Sequence, residues 1–354
     1  MNNLPAFSGV VKSGAFWLLA SLFIFSSKFE KQENLPDKPI PLELTTYSKR
    51  PIYLPSRHLE TVVPSVFFRP PTPKYDRERM ELSDGDFLDM DWIISDNDRL
   101  IIISHGMEGD SYRHYVTRAA NYFSERNWDI LAWNQRGCSG ELNRLPKLAH
   151  HGSAQDLSEV VEAALAREYS TIILLGFSMG GCQTLKYLST ESVDDRVKGG
   201  VGFSVTFDFG DMMDQFGLKS NALYKNVFLN KLRKKIALYA ELHPQVIDVS
   251  DLNEINDFET FHLNYSTRLN GDDSLEQFYH DASPGNFVSS LQKPMLVVNA
   301  QNDPFLGERN YPEGMHPLLT TYYPQVGGHL GFTLPLSTAS YMELVADEFI
   351  SDHL

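Results

Sequence analysis

A serine set between two glycines is the first place in this chain where residue types and spacing suggest chemistry. Gly176-Phe177-Ser178-Met179-Gly180 follows the aliphatic run Thr171-Ile172-Ile173-Leu174-Leu175 and precedes a helix-compatible run from Cys182 to Leu188. Strand, G-x-S-x-G, helix is the context in which a serine sits on a sharp turn with its hydroxyl above the sheet edge. Its flanking glycines lack a Cβ, so strand and helix can approach closely. A serine hydroxyl is a poor nucleophile until a neighbouring base takes its proton. His329, after Val326-Gly327-Gly328, suits that task, because imidazole titrates near neutrality and the glycine pair lets the backbone bend sharply. Asp303, in Asn299-Ala300-Gln301-Asn302-Asp303-Pro304, would fix the ring tautomer and stabilise the imidazolium. An oxyanion also needs donors. The N–H of Met179, at a helix N-terminus just past the nucleophile, is one; that of Met107, in the loop Ser104-His105-Gly106-Met107, is the other. His105 itself is read as a structural support of that loop.

Each candidate has a plainer use. Ser178 could cap a helix, Asp303 a turn before Pro304, and His329 could be an ordinary loop histidine. Asp208, past the preceding strand, is a rival acid. His151 and Asp156 match an H-x4-D spacing associated with acyl transfer, but Ser153-x-x-Asp156 is also a helix-start pattern that accounts for the aspartate. Cys138 and Cys182 read as small buried residues, and Lys186 as a helix-surface charge.

These candidates must be positioned by a sheet. Extended runs on either side of Ser83-Asp84-Gly85-Asp86 read as a hairpin. Leu100-Ile101-Ile102-Ile103 reads as a buried strand, residues 112–123 as a helix, 128–133 as a strand, and 153–165 as a helix with one apolar face. Strands follow at 171–175 and 199–207, then at 294–298 and 319–323, and a helix from Ser337 to Phe349 closes the chain with Ser337 as its N-cap. Strands alternating with helices argue an α/β fold with a mostly parallel sheet covered on both faces. Ser178, Asp303 and His329 then all fall just past strands, at the carboxyl edge where such sheets gather functional groups. Residues about 208–292 lack a clear aliphatic strand and read as a helical cap inserted over the site.

Composition narrows the partners. The 354 residues are 42% apolar and 22% charged, ordinary for a globular chain. A net charge of −15, from 31 basic and 46 acidic residues, disfavours nucleic acid. Two cysteines form no C-x-x-C and eleven histidines no H-E-x-x-H, so neither a metal nor a cofactor is expected. Residues 1–40 read as a leader and linker before a main domain at 41–354. Within the leader, residues 13–27 are uncharged and dense in apolar side chains, flanked by Lys12 and by Lys28 and Lys31. That is short for a full span. The segment reads either as a signal-like run or membrane anchor, with no convincing cleavage site favouring the anchor, or as an interfacial leader or an overextended start. Localisation is accordingly cytoplasmic or membrane-associated.

Seven motifs then carry a resemblance. Arg57-His58-Leu59-Glu60-Thr61 through Pro64, residues 84–92, His105-Gly106-Met107-Glu108-Gly109, Asn134-Gln135-Arg136-Gly137-Cys138-Ser139-Gly140, residues 176–181, residues 299–305 and Gly327-Gly328-His329-Leu330-Gly331-Phe332 resemble, in order, the YheT-like branch of the α/β-hydrolases, the AB hydrolase 4 family. It covers the chain from about Pro41 to the C-terminus. The resemblance implies an α/β-hydrolase fold and a serine esterase or lipase acting on a small-molecule acyl ester, since members of the family include enzymes of acylglycerols or phospholipids and some that are membrane-anchored, with nucleophile Ser178, acid Asp303 and base His329. Asp110 and Cys182-Gln183 depart from the family pattern away from these three. A short- to medium-chain ester is the expected substrate. Acyl transfer by the same three residues, or ligand binding without turnover, are the competing expectations, and oligomeric state is left open.

Overall fold

The computed structural model describes residue 47, residues 50–334, residue 337 and residues 339–354; the leader, with residues 13–27, lies outside them. Residues Pro41–Leu354 form one compact unit. Its first helix, α1 (Arg57–Phe67), starts at Ser56, whose Oγ accepts the Leu59 N–H at 3.3 Å and satisfies one of the free first-turn donors. Strands β1 (Asp76–Glu81) and β2 (Phe87–Ile93) pair antiparallel across the Asp-Gly turn, where Gly85 takes φ +85°. The chain continues through β3 (Arg99–Ser104), α2 (His114–Ser124), β4 (Asp129–Asn134), α3 (Ala154–Leu165), β5 (Thr171–Phe177), α4 (Met179–Thr190) and β6 (Val197–Phe203).

Among the described residues, strand order across the eight-stranded sheet is β1-β2-β4-β3-β5-β6-β7-β8, with β7 at Met295–Val298 and β8 at Leu319–Tyr322. The β1–β2 and β2–β4 pairs are antiparallel; every other pair is parallel. Because β4 lies beyond β3, the chain steps one way through α2 and back across through α3. Right-handed crossovers in opposite directions place helices on both faces. On one face, Val116, Ala119 and Phe123 of α2 pack with Ile101, Ile103 and Ile173. On the other, Leu157 and Val161 of α3 and Leu185 and Leu188 of α4 cover Ile102, Leu174 and Val297. Each such aliphatic side chain, fully buried, contributes about 1.5–3 kcal/mol.

Between β6 and β7 the described chain is helical: α5 (Phe209–Gly217), α6 (Ala222–Leu242), α7 (Phe258–Phe261), a π-helical turn (His262–Ser266), α8 (Thr267–Asn270) and α9 (Leu275–Asp281). A third apolar cluster, including Phe216, Leu229, Ile236, Phe261 and Phe278, holds these helices together. The last helix, α10 (Tyr341–His353), corrects the expected start at Ser337. Ser340 is the N-cap, in a reciprocal capping box with Glu343. Two serines satisfy the same local preference, and only Ser340 has an acidic residue three positions on.

Candidate active site

At the end of β5 the backbone turns abruptly, with Ser178 at φ 52° and ψ −120°. Such a conformation is strained for a residue with a Cβ and persists only where its surroundings impose it. They do so here: the Ser178 N–H donates to Phe203 O at 2.8 Å, and the helix runs so close behind that a Cβ on Gly176 would lie 2.5 Å from Gly180 O. The serine is thereby presented at the sheet's carboxyl edge, only 8% exposed.

Past β7, Asn299 locks the next loop by accepting the Val205 N–H at 2.7 Å and donating to Val205 O at 2.8 Å. That leaves Asp303 buried, with Oδ1 accepting the Phe305 N–H at 2.9 Å. Past β8, Gly327 at φ +148° and Gly328 at φ +59° make the bend that presents His329. The structure brings the three side chains together: His329 Nδ1 is 2.8 Å from Asp303 Oδ2, and Nε2 is 3.0 Å from Ser178 Oγ. Facing a carboxylate that only accepts, Nδ1 carries the proton, so Nε2 is the acceptor for the serine hydroxyl.

Several residues that hold His329 carried no chemical signal in the sequence. Thr61 of α1 donates its hydroxyl to Arg57 O at 2.8 Å and accepts the His329 N–H at 2.9 Å. Asn302 Oδ1 accepts the Gly328 N–H at 2.9 Å, and its amide donates to Glu60 Oε2 at 2.5 Å. The Phe305 ring packs 4.3 Å from the imidazole, centroid to centroid. Their one trace in the sequence is membership of the first and sixth motifs, which says that a segment matters without saying to what.

The loop after β3 lies directly over the serine. A Cβ on Gly106 would be 3.1 Å from Ser178 Cβ. His105 is buried and keyed into place: Nδ1 donates to Gly106 O at 2.8 Å and Nε2 accepts the Gln135 N–H at 3.1 Å. Burial pushes its pKa down to about 4, so it is a neutral, structural ring. Met179 opens α4, where the first N–H groups have no intrahelical acceptor. Met107 and Met179 line one pocket together with Met212, Leu232, Phe258 and Phe278.

Other sequence candidates are placed elsewhere. Asp208 caps α5 through the Asp211 N–H at 2.8 Å and pairs with Arg309 at 2.9 Å. Asp156 forms no helix-start cap with Ser153; it makes a two-pronged ion pair with Arg136 at 2.8 Å. Arg136 also meets Asp84 and Asp86, both at 3.0 Å, and such a buried hub outcompetes a local cap. Lys186 is not a free surface charge, since its Nζ donates to Asp281 O at 2.9 Å. Cys182 is buried, with Sγ accepting the Thr206 N–H at 3.2 Å. Gln183, one of the departures from the family pattern, bridges Gln135 and His150 O.

A family model for the α/β-hydrolase fold matches residues 99–331. The chain belongs to the α/β-hydrolase fold family. Among its relatives, this hydrolase is 29% identical over 294 residues to the putative esterase YheT of Escherichia coli (strain K12), which covers 78% of this chain and 84% of that one. It is 23% identical over 296 residues to phospholipase ABHD3 of Bos taurus, with 79% and 72% covered. A solved Pyrococcus furiosus esterase superposes with a TM-score of 0.53 at 15% identity, covering 81% of this hydrolase and 98% of that chain, a likeness of fold.

Proposed function

We propose that this hydrolase cleaves carboxylic esters through a covalent acyl-Ser178 intermediate. The observation that carries the reading is the unbroken hydrogen-bond relay Ser178–His329–Asp303 on a strained strand-to-helix turn. Ser178 Oγ attacks the acyl carbonyl while His329 Nε2 takes its proton. The N–H groups of Met107 and Met179 receive the oxyanion; one such donor is worth about 3–4 kcal/mol in the transition state. His329 then protonates the departing alcohol and activates the water that releases the acid. Asp303 stays ionised and steadies the imidazolium. The pocket beside the two methionines is lined mostly by apolar side chains, as an acyl chain requires, and the names of the esterase and phospholipase relatives point to ester substrates; a short- to medium-chain acyl ester is the substrate class we expect. The helices at about 208–292 act as a cap whose side chains complete that pocket. A fluorophosphonate probe is expected to label the protein, and Ser178→Ala to abolish labelling; label retained on that variant sinks the assignment.

A further inference from the structure

We propose that the pocket beside Met107 and Met179 recognises an uncharged, hydrogen-bonding oxygen of the substrate, a hydroxyl or ketone on an otherwise apolar chain, through His151 and the His262–Ser266 pair. The inference rests on the ester-hydrolase reading and adds what the ester must carry.

His151 is 3% exposed, lines the pocket and packs 4.9 Å from the Phe209 ring. Among the described residues, neither of its ring nitrogens has a hydrogen-bond partner, though buried polar side chains nearly always find one. A ligand oxygen entering the pocket can be that partner. Opposite chemistry comes from the cap. The turn His262–Ser266 is π-helical, a rare arrangement that concentrates at functional sites. It brings both ends of the turn onto the same pocket, with His262 Nδ1 and Ser266 Oγ sharing a hydrogen bond at 2.8 Å. Nε2 of His262 has no partner among the described residues.

Charge decides what kind of oxygen fits. No Asp, Glu, Lys or Arg is among the pocket's described lining residues. Burial pushes His151 and His262 down to about 3, so both rings are neutral at pH 7. A neutral imidazole offers one donor and one acceptor, which is also what a hydroxyl offers. A ketone oxygen is met by the donor alone, whereas a phosphate brings negative charge and would enter with no cation among the described lining residues to meet it.

Two matched ester pairs test this. On the acyl side, p-nitrophenyl hexanoate is compared with its 5-oxo analogue; on the alcohol side, propyl butyrate with 2,3-dihydroxypropyl butyrate. We expect kcat/KM to favour the oxygenated member of at least one pair by about tenfold, the scale of one added hydrogen bond. His151→Phe and His151→Leu should bring that ratio close to one, whatever each does to the plain ester, while His151→Asn, which keeps a donor and an acceptor, retains part of it. Either of the two apolar variants suffices if the other fails to fold. Ratios near one for both pairs in the unaltered protein overturn the inference, as does a preference that survives loss of the ring, or faster hydrolysis of a phosphorylated alcohol than of its dihydroxypropyl counterpart. Failure of the hydrolase reading looks different: neither pair turns over and Ser178 resists the fluorophosphonate, and the inference then falls with it.

Discussion

Thr61 sits 268 positions from His329 in the chain, yet its hydroxyl accepts the N–H of that histidine. A single hydrogen bond of this kind sets where the imidazole stands, and catalysis is sensitive to displacements of about 1 Å. Thr61→Val, which keeps the shape and removes the acceptor, is expected to lower kcat for p-nitrophenyl butyrate by about tenfold with a smaller change in KM. Unchanged kcat in steady-state assays would show that Phe305 and Asn302 hold the ring without it. The three side chains that meet at the sheet edge, Ser178, Asp303 and His329, were legible from type, order and position past strands, because strand and turn chemistry are local. Their supports were not, since a threonine's acceptor or an asparagine's amide means nothing until the fold supplies a partner.

Among elements, the segment joining β4 to α3 turns on Arg136. Its guanidinium, 5% exposed, meets Asp84, Asp86 and Asp156, so it ties the β1–β2 hairpin to the start of α3. Arg136→Met would leave buried carboxylates without a counter-charge, and breaking such a cluster costs about 3–5 kcal/mol. Urea denaturation of the variant should show a correspondingly lower midpoint; a midpoint equal to that of the unaltered protein would show the carboxylates relaxing into solvent. The sequence pattern Ser153-x-x-Asp156 looked sufficient as a helix start, and the structure spends the aspartate on the arginine instead. Local propensity lost there to a charge pair brought in from 20 residues away. The last helix, by contrast, starts at Ser340 and not Ser337 for a local reason, since only there does the capping box close.

At the scale of the whole molecule, four buried histidines and the half-buried His150, among the described residues, make the fold sensitive to acid. Burial depresses His105 and His150 to about 4, and His114, His151 and His262 to about 3. In the unfolded chain each titrates near 6.5. Between those values the unfolded state binds more protons than the folded one, so stability is fully present above about pH 6.5 and is lost as pH falls toward 3–4. The urea midpoint should therefore decline steadily from pH 6.5 to 4 and gain little from this source above 7. A midpoint flat through that acid window would mean that water reaches these rings.

The order of aliphatic strands along the chain, the Asp-Gly hairpin, the serine turn and the positions of Ser178, Asp303 and His329 just past strands were all written locally, in periodicity and glycine position. Among the described residues, no helix is long and apolar enough to cross a membrane, and the apolar run at 13–27 lies outside them. What only the tertiary structure decided is which distant side chains come together: Thr61 with His329, Arg136 with Asp156, and the π turn His262–Ser266 with His151 in the lining of one pocket. Those pairings depend on distances across the folded chain, and a sequence records spacing along the chain alone.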